Sequence, residues 1–242
     1  MTLIEHFEEL RTRLFIAVGA WLVGAGVSYA FRLRLLDWLK EPLAGAPEVT
    51  VVSTQLLEQF LVSMQIAAFA GVVLALPIII GQIWGFIAPG LYKEERRWAV
   101  PFIFLTALAF VSGVIFGRYV ILPFSLPIIV GFLQEEVTTL LSIGDYISKV
   151  IVIMAVFGLI FEMPVLGFLL ARLGIVYAKF LVQHRRYAVV IGAVVAAVIT
   201  PTADPVNFAL VAIPLLILYE ITIIVVRLSQ RRIPVSEEPA SP

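Results

Sequence analysis

The chain has 242 residues, of which 61% are hydrophobic and 14% are charged, and its mean hydropathy is +1.04. A water-soluble domain could not bury that much apolar surface, so the composition predicts an integral membrane protein. The zero net charge argues against a nucleic-acid partner, and the absence of cysteine excludes disulfides and thiolate chemistry. His6 and His184 lie far apart in sequence and in no metal-binding motif, so we expect neither a metal nor a cofactor.

The first thirteen residues have the spacing of a short amphipathic helix. Leu3, Phe7, Leu10 and Leu14 recur at steps of three and four, so one apolar face is expected to lie on the membrane or on a neighbouring helix. The three glutamates of this segment outnumber its two arginines, which is the wrong sign for the start of a cleaved signal peptide. The apolar run that follows is therefore predicted to be a retained membrane anchor.

Glu5, Glu9 and Arg13 share another face of this predicted helix, because they are spaced by four residues. One interpretation is that they are surface charges that pair with one another. The other is that Glu9 is a site carboxylate held at the membrane surface. The spacing alone does not choose between the two.

Apolar runs predict six membrane spans in a single membrane domain, residues 1–230, followed by a disordered tail at 231–242. The fifth run would span roughly 20 Å as a helix, against roughly 30 Å for a bilayer core. The sequence therefore predicts an all-α membrane protein in which the fifth and sixth spans are short. The spans lie at about 14–31, 64–86, 98–117, 150–171, 187–199 and 206–226.

Two long loops join the first span to the second and the third span to the fourth. In the first loop, residues 32–60, the apolar cluster at Leu35–Leu39 predicts a partly buried or interfacial helix. In the second loop, the apolar run 119–134 is interrupted by Pro123 and Pro127. We interpret that run as a helical extension of the third span and not as a separate one.

Glycine and proline mark expected contacts and bends inside the spans. Pro77 is expected to kink the second span. Gly81-x-x-x-Gly85 and Gly113-x-x-x-Gly117 place two small residues one turn apart, which would allow close helix contacts inside the bundle.

Five consecutive charges, from Lys93 to Arg97, separate the second span from the third. They follow a Pro-Gly turn at 89–90, so the segment is predicted to be a charged hairpin at one water face of the membrane. One interpretation is a positive anchor whose charges pair internally. The other is a loop whose carboxylates read a charged peptide signal.

Glu162 lies inside the predicted fourth span, directly before Met163-Pro164. A carboxylate at membrane depth is costly, so it indicates a cavity, a proton site or a partner contact. The alternative is a structural glutamate bonded to the backbone that Pro164 frees. Glu220, in the last span, is a second such carboxylate, and the pair leaves open a proton-coupled transporter of small solutes. The chain lacks the internal repeats that such transporters usually show.

An enzymatic function is not expected. An intramembrane hydrolase is disfavoured, because serines such as Ser63 and Ser112 share no plausible membrane depth with a histidine. No nucleotide-binding motif is present either.

The distribution of lysine and arginine predicts the orientation. With six spans, the side that holds both termini, the charged hairpin and the loop at 172–186 carries twelve of the seventeen basic residues. The positive-inside rule therefore places both termini in the cytoplasm.

Several segments together resemble one family, the TatC family of the twin-arginine protein translocase, over roughly residues 1–230. They are HFEELRTRL at 6–14, WGFIAPGLYKEERR at 84–97, FEMPV at 161–165, TPTADP at 200–205 and AIP at 212–214. The resemblance implies a cup-shaped bundle of six kinked helices in the inner membrane. It also implies a receptor for the paired-arginine signal peptides of folded precursors. Such a receptor would work with single-span TatA/TatB-type partners in an oligomeric complex driven by the proton-motive force.

The same resemblance implies where the signal binds. It places the two signal-contacting glutamates at Glu95 and Glu9 and an aromatic neighbour at Phe86, with Glu94 as a second acid beside Glu95. Carboxylates suit this task, because paired guanidinium groups need planar acceptors that take two hydrogen bonds. The cations expected to balance the acids in the empty site are Arg11, Arg96 and Arg97.

Residues implied for the membrane cavity or for partner contacts are Glu162 with Pro164, and Asp204 in the turn before the last span. The chain departs from the family pattern at one point. Many relatives carry a glutamine four residues before the AIP triplet, where this chain has Phe208 with Asn207 beside it.

Overall fold

The computed structural model describes residues 3–45, 49–87, 99–131, 139–200 and 204–230. Its helices are α1 (Leu3–Ala30), α2 (Arg32–Lys40), α3 (Glu58–Ile87), α4 (Ala99–Phe116), α5 (Leu122–Gly131), α6 (Ile143–Phe161), α7 (Met163–Arg172), α8 (Ala178–Gln183), α9 (Arg185–Ile199) and α10 (Pro205–Ser229). Two short strands, β1 (Val49–Val52) and β2 (Thr139–Ser142), complete the described elements. The prediction of an all-α membrane protein is confirmed apart from these strands.

Helix α1 is one continuous helix of 28 residues. The prediction of a separate amphipathic helix before the first span is therefore wrong, because no glycine, proline or turn interrupts the segment between them. Helix α1 packs antiparallel to α3 and crosses it at Gly24 and Gly71, where a Cβ on Gly24 would lie 2.7 Å from the Gly71 carbonyl oxygen. Trp21 Nε1 donates to the Ala68 carbonyl at 3.0 Å beside this crossing. We call the membrane face at which α1 begins and α3 ends the N-terminal face.

The two long loops meet at the opposite face. Strand β1 pairs in parallel with β2, in a register that runs from Val49 opposite Thr139 to Val52 opposite Ser142. The predicted interfacial helix of the first loop is observed as α2. The strands were not predicted, because each is only four residues long and its partner lies about ninety residues away in sequence.

Arg118 is buried at this face, with a side chain only 2% exposed. It lies in a π-helical turn, Gly117–Ile121, through which α4 continues into α5, so the predicted extension of the third span is observed. Its guanidinium donates to the Trp38 carbonyl at 2.5 and 3.1 Å and to Glu41 Oε2 at 2.8 Å. The rings of Trp38 and Tyr119 lie 5.2 and 5.0 Å from it. The Arg118 side chain therefore joins α2 to the end of α4.

The predicted fourth span consists of two helices, α6 and α7, that meet at Glu162. The helix is interrupted there because Pro164, in the first turn of α7, has no backbone N–H to continue the ladder. Helix α6 packs closely on α4: a Cβ on Gly113 would collide with the backbone of Phe157 and Gly158. This contact fulfils the expectation for Gly113-x-x-x-Gly117, whereas Gly81 makes only an ordinary contact with Ile103.

The last two helices differ in length. Helix α9 has 15 residues and spans only about 22 Å, as expected for a short fifth helix. Helix α10 has 25 residues and spans about 37 Å, so the prediction that the sixth span is short is wrong. The reason is local: Pro214 lies inside the helix without ending it, and the helix extends beyond Arg227.

Five helical stretches among the described residues are long and apolar enough to cross a membrane. They are His6–Ala30, Glu58–Phe86, Val100–Pro127, Ile143–Arg172 and Pro205–Ser229. Large apolar side chains on their outer faces, such as Leu14, Phe15 and Val23 of α1, are more than 60% exposed. Such surfaces need lipid around them, so the chain is a multi-pass membrane protein.

Candidate functional site

The charged hairpin is the centre of the predicted signal site, and its residues Glu94, Glu95, Arg96 and Arg97 lie outside the described residues. The structure describes the end of α3, which precedes the hairpin in the chain, and the first turns of α1. These two segments lie together at the N-terminal face.

A compact group of side chains joins α1 to α3 there, and we call it the Glu9 cluster: His6, Glu9, Arg13, Gly85 and Phe86. The His6 and Phe86 rings are stacked, with their centroids 4.4 Å apart. The Arg13 guanidinium lies directly on Gly85, where an added Cβ would overlap it. The cluster forms because His6, Glu9 and Arg13 are spaced by three and four residues and so share one face of α1.

The two oxygens of the Glu9 carboxylate have different surroundings. Oε1 accepts from Arg13 Nε at 3.0 Å and from Arg13 Nη2 at 2.5 Å. Oε2 is buried and has no hydrogen-bond partner among the described residues. Buried acceptors are normally paired, because an unpaired one loses its hydration without compensation. Glu9 is thus held in place through one oxygen while the other is available to a donor.

Arg11 is not the partner of Glu9. Its exposed side chain lies over the ring of Phe15, with the guanidinium carbon 5.6 Å from the ring centroid. The cation that holds Glu9 is Arg13, as the interpretation of paired surface charges expected. The pair occupies only one carboxylate oxygen, so the interpretation of Glu9 as a site carboxylate stays a prediction.

Glu162 forms a second group of buried polar atoms, deeper in the bundle. Its residue is 7% exposed, and neither carboxylate oxygen has a partner with hydrogen-bond geometry among the described residues, although the Phe110 backbone lies beside it. Trp84 Nε1 and Thr106 Oγ1 are likewise buried without partners. Trp84 packs against Phe102 and Val165, which lie one turn from Thr106 and from Glu162 respectively.

Asp204 caps the last helix. Its Oδ1 accepts from the backbone N–H groups of Val206 and Asn207 at 3.1 and 2.8 Å, and its Oδ2 accepts from Asn207 Nδ2 at 2.8 Å. Asn207 is fully buried, and Phe208 packs against the main hydrophobic core. These contacts explain the start of α10 at Pro205, and they use the aspartate for structure.

The following side chains bear on the two other functions considered from the sequence, a proton-coupled transporter and an intramembrane hydrolase. Glu220 is half exposed and pairs with Arg185 at 2.6 Å, so it is not a second buried carboxylate beside Glu162. Ser63 and Ser112 each donate to a carbonyl four residues earlier in their own helix, and His184 Nδ1 contacts the Phe180 carbonyl. Within the described ranges, no three His, Asp or Glu side chains lie close enough together to hold a metal ion.

Sequence reasoning missed two side chains of these sites. His6 completes the Glu9 cluster, and its spacing of three residues from Glu9 was the available signal. Glu58, at the start of α3, is buried at the opposite face and accepts six hydrogen bonds from the turn after β1, from the last residue of β2 and from the start of α6. No pattern in the sequence distinguishes Glu58 from a solvated glutamate at a helix start.

Comparisons with known proteins agree on one family. A sequence model described as Sec-independent protein translocase protein (TatC) matches residues 5–214. A curated relative of that name from Deinococcus radiodurans is 42% identical and covers 99% of this chain and 91% of its own length. The Aquifex aeolicus relative is 37% identical over 96% and 97% of the two chains.

Solved structures agree with this result. A crystal structure of a twin-arginine translocase receptor, TatC, superimposes with a TM-score of 0.83 at 36% identity and covers 93% of this chain and 100% of its own. A second crystal structure of such a receptor, in the detergent DDM, gives a TM-score of 0.84 at the same identity.

Proposed function

The chain belongs to the TatC family of Sec-independent protein translocases, and we propose that it is the receptor and scaffold subunit of a twin-arginine translocase. It binds the paired-arginine signal peptides of folded precursor proteins at the N-terminal face of the membrane. It then assembles single-span TatA/TatB-type partners around itself, in a step driven by the proton-motive force. The solved receptors that share its fold support this proposal.

One observation carries the proposal: the unpartnered Oε2 of Glu9. This oxygen is a buried anionic acceptor, positioned by Arg13 through the other oxygen and placed beside the end of α3. A guanidinium that donates to Oε2 would gain a charge-assisted hydrogen bond worth about 1.5–3 kcal/mol. Lysine could not form the same planar contact, so the site distinguishes the two cations.

The second arginine of the signal requires a second acid, and we assign it to Glu95, with Glu94 beside it. Both belong to the segment that leaves α3 directly after Phe86, and Phe86 is part of the Glu9 cluster. Arg11, Arg96 and Arg97 balance these acids when no signal is bound. We assign the N-terminal face to the cytoplasmic side of the inner membrane. Both chain termini and the charged hairpin are then cytoplasmic.

We assign Glu162 to the later step, in which single-span partners assemble within the membrane. Its carboxylate, together with Trp84 Nε1 and Thr106 Oγ1, provides polar atoms without partners in an otherwise apolar interior. A polar side chain of a partner helix would satisfy them, and the short α9 offers such a helix a thinned membrane. Pro164 supports this role by opening the backbone at Glu162, and Asp204 supports it by fixing the start of α10.

The decisive experiment compares two signal peptides on the reconstituted protein. A photocrosslinking amino acid at position 92, which leaves Glu94 and Glu95 in place, is presented with a precursor that carries either paired arginines or paired lysines. We expect strong labelling by the first precursor and about tenfold less by the second. Equal labelling by both would remove the receptor interpretation of this face.

A matched pair of variants makes the experiment specific. Glu9→Gln keeps the size of the side chain and removes its charge, whereas Glu8→Gln makes the same change on an exposed neighbour. We expect Glu9→Gln to reduce labelling by the paired-arginine precursor and Glu8→Gln to leave it unchanged. If both variants behave alike, net charge explains the binding and Glu9 has no particular role.

A further inference from the structure

A deep apolar groove opens on the lipid-facing side of the bundle, and we call it the lateral groove. It lies between the end of α1, α2, the first half of α3 and the second half of α4, and its volume is about 510 Å³. Its lining includes Val27, Phe31, Leu35, Trp38, Val73 and Val111. This volume is in the range of pockets that hold drug-sized ligands, so the groove is too large to be a packing defect.

The position of the lateral groove restricts its occupant. The groove lies in the half of the membrane next to the opposite face, because its α1 residues are the last turn of that helix and its α2 residues follow directly. Leu35 and Trp38 of helix α2 line the groove at its water end. A membrane-crossing partner helix would have to continue past that end, whereas a chain that starts at the interface and runs into the membrane fits.

A cation that has no ion-pair partner among the described residues lies at the rim of the groove. Arg34 is exposed on α2 beside the lining residues Leu35 and Trp38, and it makes no ion pair or hydrogen bond with the part of the chain that the structure describes. The other cations of α2 are engaged. Arg32 donates to the Tyr29 carbonyl and lies over the Tyr29 ring, and Lys40 pairs with Asp37 at 3.3 Å.

We propose that the lateral groove is a phospholipid site. One acyl chain occupies the groove, and the phosphate of the same lipid binds the Arg34 guanidinium at the membrane surface. The apolar lining and the exposed cation beside it favour this occupant over a protein helix, because they match the acyl chain and the phosphate of one molecule. The indole N–H of Trp38 is already committed to the Tyr119 hydroxyl at 3.0 Å, so Trp38 contributes an apolar wall and not a second donor. The site does not depend on the proposed receptor function.

The test uses the full chain reconstituted in liposomes that contain a phosphatidylglycerol with a photoactivatable diazirine in the middle of one acyl chain. After irradiation, the labelled peptides are mapped by mass spectrometry. We expect adducts to concentrate on the groove residues Phe69–Leu74 of α3. The reference residues are Ile213 and Ile217 of α10, which are more than 50% exposed and do not line the groove.

Two variants and one control separate a built site from general lipid contact. Ala70→Phe fills the groove and should abolish the groove adducts without changing those on α10. Arg34→Gln should reduce the groove adducts about fivefold, because a cation at an anionic surface contributes about 1 kcal/mol. Lys149→Gln removes an exposed cation near the same membrane face but away from the groove, and it should change nothing.

Three outcomes would overturn the proposal. One is equal labelling of the groove and of the α10 reference residues. A second is an equal response to Arg34→Gln and Lys149→Gln, which remains informative if Ala70→Phe does not fold, since position 34 is exposed. The third is that a photocrosslinker placed at Val73 in native membranes attaches to a protein and not to lipid.

Discussion

Two buried carboxylates near opposite ends of α3 show how differently one side chain is used in this protein. Glu58, at the opposite face, has both oxygens hydrogen-bonded: Oε2 to Ser53, Thr54 and Gln55, and Oε1 to Ser142 and Gly144. Glu9, at the N-terminal face, has one oxygen paired with Arg13 and the other with no partner among the described residues.

The two carboxylates therefore differ in how their oxygens are used. The hydrogen bonds of Glu58 come from the turn just before it, residues 53–55, and from Ser142 and Gly144, more than eighty residues away, so its carboxylate stabilises the junction of β1, β2, α3 and α6. Among the described residues, Glu9 is hydrogen-bonded only to a neighbour on its own helix. We propose that its remaining oxygen is a docking position for a guanidinium, and the following substitutions test this contrast.

The largest effect on folding is expected at Glu58. In Glu58→Ala, the donors of Ser53, Thr54, Gln55, Ser142 and Gly144 lose their common acceptor, so the turn after β1 is no longer joined to the start of α6. Thermal unfolding in detergent should shift down by several degrees, with loss of membrane-inserted protein. Asp145→Asn, an exposed change in the first turn of α6, is the matched control, and equal melting of both variants would show that the junction does not depend on Glu58.

Glu9→Gln should have a large effect on binding and almost none on folding. The amide keeps the contact with Arg13 through its oxygen but offers an incoming guanidinium no charge. Affinity for a paired-arginine signal peptide, measured by titration in nanodiscs, should fall about 10- to 100-fold, which corresponds to about 1.5–3 kcal/mol. A drop in melting temperature as large as that of Glu58→Ala would place Glu9 among the structural acids instead.

Glu162 is a third case, because neither of its oxygens has a hydrogen-bond partner among the described residues. Glu162→Leu should stabilise the isolated protein by about 1–2 kcal/mol, since an unsatisfied buried polar group is replaced by an apolar one. The same variant should lose export of a folded precursor in cells. Destabilisation comparable to that of Glu58→Ala would reveal a structural partner of Glu162 outside the described residues.

The smallest effect is expected when Arg13 is changed. In Arg13→Gln, Glu9 loses an ion pair between residues four apart on one helix, a contact worth only about 0.3–0.5 kcal/mol. Signal binding should weaken about two- to threefold, because Glu9 is no longer oriented. Arg11→Gln tests the specificity of this effect, since Arg11 lies over Phe15, and the result would contradict the assignment if Arg11→Gln weakened binding more.

Much of the candidate site could be recognised along the chain because local rules govern it. The charged hairpin, Glu9 and Phe86 stand at the ends of apolar runs, and a bilayer forces such ends to its surface. Asp204 precedes Pro205 in the pattern of a helix cap, and capping depends on residues only two or three positions away.

The remaining features required the tertiary structure. That the Glu9–Arg13 pair packs on α3 depends on where α3 lies, because Gly85 is the small residue that makes room for Arg13. The closest crossing of α1 and α3 occurs at Gly24 and Gly71, which belong to no GxxxG motif within either helix. The length of the sixth span was misjudged because lipid tolerates a proline that its neighbours accommodate.

The sequence by itself determined that this chain crosses a membrane repeatedly, where most of its helices begin and end, and which charges lie at the surface. These properties depend on each segment's own transfer into lipid, which is a sum over nearby residues. The tertiary structure alone decided which buried carboxylates are satisfied. Hydrogen-bond partners such as Ser142 for Glu58 come from segments more than eighty residues apart, and only packing brings them within reach.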